Sequence, residues 1–283
     1  MIKLSAFSDE AARSLDGQIA ALKRNGIKYI ELRSIDGKNV ADFSFDEAKE
    51  YKIQMNDAGV AVWSIGSPLG KVDISTGIDE YLSVVRHVCA LANIFETDKI
   101  RAFSFYGAYD SREKVIDNMN RMASVASEYG VTLYHENEKD IYGDTLLRVL
   151  DLMQSVKGWK FIYDPANFIQ CGQNSSETVS ALKGKIDYYH VKDVIAATQE
   201  IVPAGYGDGN IGEIISSVDF DTTFTLEPHL KLFDGYGSID NTEMKNKFVY
   251  RDNTEAFDAA VKAFKKLLAD AGYREKTTGT FEK

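Results

Sequence analysis

The feature that most constrains the fold is a unit that recurs along the chain. A helical stretch ends at a glycine, an apolar residue follows, and a short β-type run comes next. The unit is clearest at Gly26, Gly59 and Gly130, and a Ser44–Glu47 capping box opens the helix that Gly59 closes. Glycine takes the left-handed conformation that ends a helix at low cost, and the next apolar residue packs back on the last turn. Repetition of this unit predicts alternating helices and strands.

Eight β-type runs follow one another, and helix-compatible sequence follows each of them. We place the strands at 3–7, 29–33, 61–67, 100–105, 132–136, 160–164, 187–191 and 224–227. Eight such units predict an α/β fold, a (β/α)8 TIM barrel, for which about 250 residues are usual. A doubly wound open sheet is the alternative. It is disfavoured because Phe7, Ser8, Asp9 and Glu10 stand where the glycine-rich turn after its first strand belongs.

The chain is expected to form one domain, because no proline-rich or glycine-rich linker interrupts it. We predict a single barrel domain over residues 1–275 and a polar, frayed tail at 276–283. Two connections, 194–212 and 228–252, are longer than the others and follow the last two predicted strands. Long connections in compact domains commonly form lids or binding loops.

Composition narrows the function classes. The formal net charge is −10, from 33 Lys+Arg against 43 Asp+Glu, and it would repel a phosphate backbone, so we expect no nucleic-acid partner. No run of about 18 apolar residues exists, and Asp9 and Glu10 come too early for a signal peptide. We therefore expect a cytoplasmic protein with no membrane partner. The 2 cysteines exclude a scaffold built on disulfides.

Residues that can bind a metal stand at the ends of four consecutive predicted strands. They are Glu136, Asp164, His190 and Glu227. The C-terminal ends of barrel strands surround the active site, so these side chains are expected to converge. Each residue alone could be an ordinary hydrogen-bonded core residue. Together, three carboxylates and one imidazole predict a site for one divalent ion such as Mn²⁺, Co²⁺, Mg²⁺ or Zn²⁺, with coordination positions left for substrate oxygens.

The chain resembles the sugar phosphate isomerase/epimerase family, whose members have the xylose isomerase-like TIM-barrel fold. The resemblance covers nearly the whole chain. Its most specific motifs are Glu136-Asn137, Asp164-Pro165-Ala166-Asn167, His190-Val191-Lys192-Asp193 and Leu226-Glu227-Pro228. The resemblance implies that Glu136, Asp164, His190 and Glu227 hold one divalent metal. It also favours Glu136 over Glu138 as the ligand, because the family pattern places the ligand directly before the asparagine.

These residues predict a metal-dependent isomerase or epimerase that acts on a sugar or sugar phosphate. A carbon beside a carbonyl is a weak acid, and an enediolate formed by its deprotonation would be stabilised by a metal held by the carbonyl and an adjacent hydroxyl. In the epimerase branch of the family, the two matching glutamates both bind metal and move protons. We therefore predict that Glu136 and Glu227 do both here.

Side chains near the strand ends are candidates for substrate contact. The predicted substrate-binding residues are Lys192, His229, Asn167, Arg33 and Lys71. Lys192 and His229 each stand two residues beyond a predicted ligand, so strand alternation would place them on the same face as that ligand. The same alternation turns His135 away from Glu136, and we predict structural roles for His135 and His87.

An anionic substrate group would require basic or N–H-rich surroundings. Arg101 and Arg251 join Arg33 and Lys71 as residues that could recognise an anion, although an ordinary surface charge is the favoured interpretation for any one of them taken alone. The glycine-rich segment 205–212 follows the seventh strand, where barrels often bind phosphate. Asp208 carries negative charge into that segment, so a turn that leads into a helix is the first interpretation there.

Other functions stay open on the sequence. A dehydratase acting on an inositol-type or keto-sugar-type substrate would begin with the same proton abstraction and then expel a hydroxyl. A non-catalytic sugar-binding barrel would keep the fold without the reaction. An apurinic-site endonuclease shares the barrel but needs a zinc cluster and more histidines than the 4 present. A two-carboxylate glycosidase would leave Asp164 and His190 unexplained. The formation of a homo-oligomer also stays open.

Overall fold

Eight parallel strands form a closed barrel in the computed structural model, which describes residues 1–238 and 243–283. The strands are β1 Ile2–Ala6, β2 Tyr29–Leu32, β3 Ala61–Ile65, β4 Lys99–Ala102, β5 Thr132–Glu136, β6 Trp159–Tyr163, β7 Tyr188–Val191 and β8 Thr222–Leu226. Each pairs with the next, and β8 pairs with β1 from Ile2↔Thr222 to Ala6↔Leu226. This closure confirms the predicted (β/α)8 barrel and excludes the open sheet.

Helices surround the barrel and bury their apolar faces against it. Those described are α1 Leu15–Arg24, α2 Phe45–Ala58, α3 Ile78–Ile94, α4 Arg112–Glu128, α5 Leu146–Ser155, α6 Pro165–Gln170, α7 Ser175–Leu182, α8 Ile211–Ser217 and α9 Asn253–Asp270. The main core lies between strands and helices, as where Phe224 of β8 meets Phe264 of α9 with ring centroids 5.3 Å apart. Among the described helices, none has the length and apolar character needed to cross a bilayer.

The predicted helix ends are confirmed. The Ser44 hydroxyl accepts from the Glu47 N–H, and the Glu47 carboxylate accepts from the Ser44 N–H, so both halves of the capping box form. Gly26, Gly59 and Gly130 have φ values of 61°, 74° and 68°. In each case the next residue donates its N–H back to a carbonyl of the helix that has just ended. These glycines therefore turn the chain from a helix into the following strand.

The C-terminal segment is ordered, so the prediction that residues 276–283 fray was wrong. Strands β9 Arg274–Thr277 and β10 Thr280–Glu282 form an antiparallel hairpin. Strand β10 pairs with the start of β1 at Ile2↔Phe281 and Lys3↔Thr280, a part of β1 that β2 does not reach. The Phe281 side chain is buried. Backbone pairing and this one aromatic anchor outweigh the polar composition of the tail.

The two long connections follow β7 and β8, as expected. In the first, the short strands Asp193–Val194 and Ile201–Val202 pair antiparallel before α8 begins. The second connection, predicted at 228–252, lies partly outside the described residues, because 239–242 are not described. Both connections start at the mouth of the barrel, where the C-terminal ends of the strands lie.

Candidate metal centre

Four buried side chains meet at the mouth of the barrel. Glu136 ends β5, His190 lies in β7, and Asp164 and Glu227 directly follow β6 and β8. One ligand atom of each lies within 4.8 Å of the others. No residue of the four is more than 2% exposed. Parallel strands end at the same edge of the barrel, so residues far apart in sequence are held on neighbouring strands here.

Local structure orients Asp164 and leaves one of its oxygens toward the centre. Its Oδ1 accepts from the Asn167 N–H at 2.9 Å and so caps α6, which opens with Pro165. The Asn137 side chain exchanges two hydrogen bonds with the backbone N–H and C=O of Asp164, both 2.9 Å long. These bonds tie the ends of β5 and β6 together. Asp164 Oδ2 is left without a well-formed hydrogen bond to any described residue.

Strand alternation places three residues of the β7 segment on the inner face of the barrel, namely Tyr188, His190 and Lys192. Tyr188 packs with Tyr134 and Ile162 in a small apolar cluster. Tyr134, Ile162 and Tyr188 each stand two positions before a member of the four-residue group. Their cluster therefore forms a floor beneath that group. This floor separates the polar mouth from the lower part of the barrel.

Two buried arginines bind the carboxylates of the group. Arg33 binds Asp9 with two nitrogens at 2.8 and 2.9 Å, and its Nη1 lies 2.8 Å from Glu227 Oε1. Arg101 Nη1 lies 3.2 Å from Glu136 Oε2 and 3.5 Å from Glu227 Oε1. The arginines thus bind one oxygen of each glutamate, and His190 faces the other oxygen: its Nδ1 lies 2.9 Å from Glu136 Oε1 and 3.5 Å from Glu227 Oε2.

Acidic groups outnumber basic side chains at the buried mouth. Six carboxylates face three permanent cations in this network: Asp9, Glu10, Glu31, Glu136, Asp164 and Glu227, against Arg33, Arg101 and Lys192. A buried charge without a partner is costly. The network therefore has more carboxyl groups than arginine and lysine partners, and a bound cation would stabilise their ionised forms.

The titration of these groups reflects the same crowding. Burial raises the pKa of Glu10 to about 8, although Arg33 opposes the shift. Burial likewise raises the pKa of Asp164 to about 6 against the opposing charge of Lys192. Burial would also raise the pKa of Glu227, but the charge of Lys192 and hydrogen bonding with His190 hold it well below its usual range. Burial alone would lower the pKa of His190, yet the carboxylates of Glu136 and Glu31 raise it well above the usual value.

Four of the five predicted substrate-binding residues lie at this mouth. Lys192 Nζ is 3.0 Å from Asp164 Oδ2 and 3.6 Å from Glu227 Oε2. Asn167 Nδ2 is 3.3 Å from Glu136 Oε1. His229 Nε2 lies 3.7 Å from Glu227 Oε1, and Arg33 was described above. These side chains surround the group of four.

The remaining basic and histidine candidates have other partners than the group of four. Lys71 is paired with Glu138 at 2.9 Å, and Glu138 is not one of the four converging residues. Arg251 is exposed and pairs with Asp252, so the structure does not bring it to the mouth. His135 is buried with its Nε2 2.9 Å from Ser104 Oγ. His87 contacts the Phe43 carbonyl from α3.

The glycine-rich segment already holds an anion of the chain's own. The N–H groups of Gly205, Gly207 and Gly209 donate to the Asp193 carboxylate at 2.8, 3.1 and 2.9 Å. A Cβ on Gly207 would come 2.4 Å from Asp193 Oδ1, which explains the glycine there. The backbone N–H groups that could have held a phosphate therefore bind Asp193, and the segment turns into α8 as the first interpretation had it.

Sequence reasoning assigned no role to Glu31, Asp9 or Glu10, which all lie in the charged network. Glu31 Oε2 is 3.3 Å from His190 Nε2, and Tyr188 donates its hydroxyl to Glu31 Oε1 at 2.9 Å. Alternation does place Glu31 on the same face of β2 as Arg33. The contact with β7 crosses the interior of the barrel, however, and no local pattern signals it.

Comparison with known proteins identifies the family. The sequence profile described as "Xylose isomerase-like TIM barrel" matches residues 19–243. The chain belongs to this family. The resemblance noted from the sequence motifs is therefore confirmed at the level of the family.

Individual relatives are distant. A 3-dehydroshikimate dehydratase of Bacillus anthracis is 21% identical over 180 residues, which are 61% of this chain and 64% of that protein. A probable L-ribulose-5-phosphate 3-epimerase UlaE of Mycoplasma pneumoniae is 24% identical over 159 residues, which are 53% and 52% of the two chains. The chain thus spans less than two thirds of the length of either curated relative. The solved structure of the IOLI protein with a binding zinc atom has a TM-score of 0.72 and 16% identity, over 95% of this chain and 99% of that chain.

Proposed function

We propose that this chain is a divalent-metal-dependent enzyme that removes a proton beside the carbonyl of a sugar-type substrate and acts as an isomerase or epimerase. The observation that carries the proposal is the convergence of Glu136, Asp164, His190 and Glu227 within 4.8 Å at the mouth of the barrel. The two relatives described above, an epimerase and a dehydratase, support it.

The residues present fit a divalent cation. Three carboxylates and one imidazole are suitable ligands for ions of intermediate hardness. Asp164 Oδ2 and Glu227 Oε2 are buried, and their contacts are with the Lys192 ammonium at 3.0 and 3.6 Å and, for Glu227, with His190 Nδ1 at 3.5 Å. Each oxygen therefore keeps an electron pair for a cation. The structure of the IOLI protein, which has this fold, contains a zinc atom. A bound cation would supply Lewis-acid stabilisation of the negative charge that develops on the substrate oxygens.

We assign the proton transfers to Glu227 and Glu136. A carboxylate oxygen takes the proton from the carbon beside the carbonyl, the C–H electrons form a C=C bond, and the carbonyl oxygen takes the negative charge. A proton returned to the same carbon from the other face inverts it. A proton returned to the former carbonyl carbon gives an isomer, provided that the hydroxyl on the first carbon also passes its proton to the former carbonyl oxygen and becomes the new carbonyl. Glu227 Oε2 has only longer contacts, with His190 at 3.5 Å and Lys192 at 3.6 Å, whereas Oε1 is bound by Arg33 at 2.8 Å, which favours Oε2 as the acceptor. Lys192, whose ammonium lies beside Asp164 and Glu227, is assigned to a substrate oxygen.

A dehydratase is the second candidate, and the match to the Bacillus anthracis dehydratase over 180 residues favours it. Loss of water needs an acid that protonates the leaving hydroxyl. Glu10 and His229 lie next to Glu227 at the mouth, with Glu10 Oε1 3.4 Å from His229 Nε2. This pair is the proton donor that the dehydratase candidate would use.

The test is metal-dependent exchange at carbon. The chain is stripped with a chelator, reloaded with Mn²⁺, Co²⁺, Mg²⁺ or Zn²⁺, and incubated in D₂O with ketoses, ketose 5-phosphates and 3-dehydroshikimate. We expect the substrate to gain deuterium at the carbon beside its carbonyl only when it is incubated with the reloaded protein. If the dehydratase candidate is correct, 3-dehydroshikimate should also lose water. Exchange that persists without metal would contradict the proposal.

A matched pair of variants locates the exchange. Glu227→Gln should lose about 10²–10⁴-fold in exchange rate, the usual contribution of a general base. Glu213→Gln, at an exposed position of α8, should exchange like the wild type. Equal rates in the two variants would refute the role of Glu227.

A further inference from the structure

Glu31 is a buried carboxylate for which the proposed proton transfers have no use. It lies on β2 with no measurable exposure and reaches across the interior of the barrel to β7. Its two oxygens have separate partners. Oε1 accepts from the Tyr188 hydroxyl at 2.9 Å, and Oε2 lies 3.3 Å from His190 Nε2.

The two ring nitrogens of His190 face different groups. Nδ1 faces the group of four, 2.9 Å from Glu136 Oε1 and 3.5 Å from Glu227 Oε2. Nε2 faces away from that group, toward Glu31. A neutral imidazole has one N–H and one lone pair, and the partner of one nitrogen decides which nitrogen carries the proton. A carboxylate can only accept, so Glu136 favours a proton on Nδ1 and Glu31 favours one on Nε2. A cation that takes the Nδ1 lone pair leaves the ring proton on Nε2, where Glu31 accepts it.

Packing fixes the plane of the ring between these partners. Phe7 meets the His190 ring edge to face, with centroids 5.3 Å apart, and Tyr188 meets it at 5.7 Å. Phe7 and Tyr188 are both buried, so the His190 ring is packed between aromatic side chains of the core. The direction of Nδ1 is therefore set by the core of the barrel as well as by hydrogen bonds.

We infer that Glu31 is a positioning residue, which holds the Nε2–H of His190 and thereby presents the Nδ1 lone pair to a divalent cation at Glu136, Asp164 and Glu227. The inference rests on the proposed function, because it requires that a cation binds there. Carboxylates that hold a metal-bound histidine from behind fix its tautomer and increase its basicity. Tyr188, which donates to the other oxygen of Glu31, completes the chain of contacts from β7 to β2 and back.

The first experiment compares Co²⁺ affinity at one pH in paired variants. Glu31→Gln removes the charge at nearly constant size and should weaken Co²⁺ binding by about 10–100-fold. Tyr188→Phe removes the hydroxyl that orients Glu31 and should weaken binding by a smaller factor. The controls are Asp144→Asn and Tyr109→Phe, because buried Asp144 accepts a hydrogen bond from the Tyr109 hydroxyl at 2.7 Å and belongs to neither metal-ligand group. Both controls should bind Co²⁺ like the wild type.

The second experiment observes the histidine directly. In the Zn²⁺-loaded protein with ¹⁵N-labelled histidine, we expect the His190 signal to show a proton on Nε2 and a metal-bound Nδ1. A purely structural role of Glu31 would not determine which nitrogen binds the metal. This measurement uses the wild-type chain, so it remains decisive if Glu31→Gln fails to fold.

The outcomes separate this inference from the proposed function. A wild-type chain that binds neither Co²⁺ nor Zn²⁺ would overturn both. A wild-type chain that binds Co²⁺, with Glu31→Gln binding equally tightly, would overturn only the role of Glu31. Metal on Nε2 of His190 would overturn that role as well, whatever the affinities.

Discussion

Replacement of Asp193 by Asn tests how the connection after β7 is held. The carboxylate accepts four backbone N–H groups: those of Val194 and Gly209 on Oδ1, and those of Gly205 and Gly207 on Oδ2. An amide has one accepting oxygen and one donating NH₂ group. Whichever way the introduced amide turns, two N–H groups face a donor and lose their acceptor.

The expected loss of stability depends on which two hydrogen bonds are lost and on how deeply they are buried. The oxygen should stay with the N–H of Gly209, whose bond to Asp193 is buried, and leave the N–H groups of Gly205 and Gly207, whose bonds are only partly buried. A buried donor without a partner costs about 1–3 kcal/mol. Partial access to water favours the lower part of that range, so we expect Asp193→Asn to lower the free energy of unfolding by about 2–4 kcal/mol.

Equilibrium unfolding in urea measures this difference. Asp208→Asn is the control, because Asp208 Oδ2 accepts one exposed N–H, that of Ala196, and should cost under about 1 kcal/mol. Both variants should keep the wild-type dependence on urea concentration. A free energy of unfolding for Asp193→Asn within about 0.5 kcal/mol of the wild type would refute the assignment of Asp193 as the internal anion of this connection.

Three further predictions concern other parts of the chain. Lys192→Met leaves buried Asp164 without its cation and should destabilise the metal-free protein by about 3–5 kcal/mol in urea unfolding; an unchanged midpoint would contradict the buried pair. Phe281→Ala should cost about 3–5 kcal/mol and expose the C-terminal hairpin to carboxypeptidase, whereas a truly frayed tail would lose nothing. A hydrogen bond from Lys38 and those of the capping box lower the pKa of Glu47 to about 2 from 4.5, so its stabilising effect is complete above about pH 4.5 and is lost toward pH 2. Thermal melts of Glu47→Gln should therefore depend less on pH in that window than those of the wild type, and identical profiles would exclude the effect.

Much of the fold was predictable because its signals are local. A helix that ends at Gly59 and a strand that begins soon after are both determined by residues adjacent in sequence. The positions of Glu136, Asp164, His190 and Glu227 at strand ends are equally local, and barrel geometry brings such ends together. The structure places all four residues together at the mouth.

The contacts that were missed are those made across the barrel or by single anchors. Glu31 reaches His190 through the interior, and this pairing depends on the stagger of the strands around the barrel. The pairing of Asp193 with three glycine N–H groups depends on a chain reversal within the connection after β7. The prediction of a frayed tail relied on the polar composition of the segment. It gave no weight to Phe281, the one side chain there that packs in the main core.

The most direct test of the central claim is a crystal structure of the chain soaked with Mn²⁺, with anomalous diffraction to identify the ion. We predict one Mn²⁺ per chain, bound by oxygens of Glu136, Asp164 and Glu227 and by Nδ1 of His190, at about 2.0–2.3 Å. An anomalous peak at Glu10 and His229 alone, or no peak at the mouth of the barrel, would contradict the account.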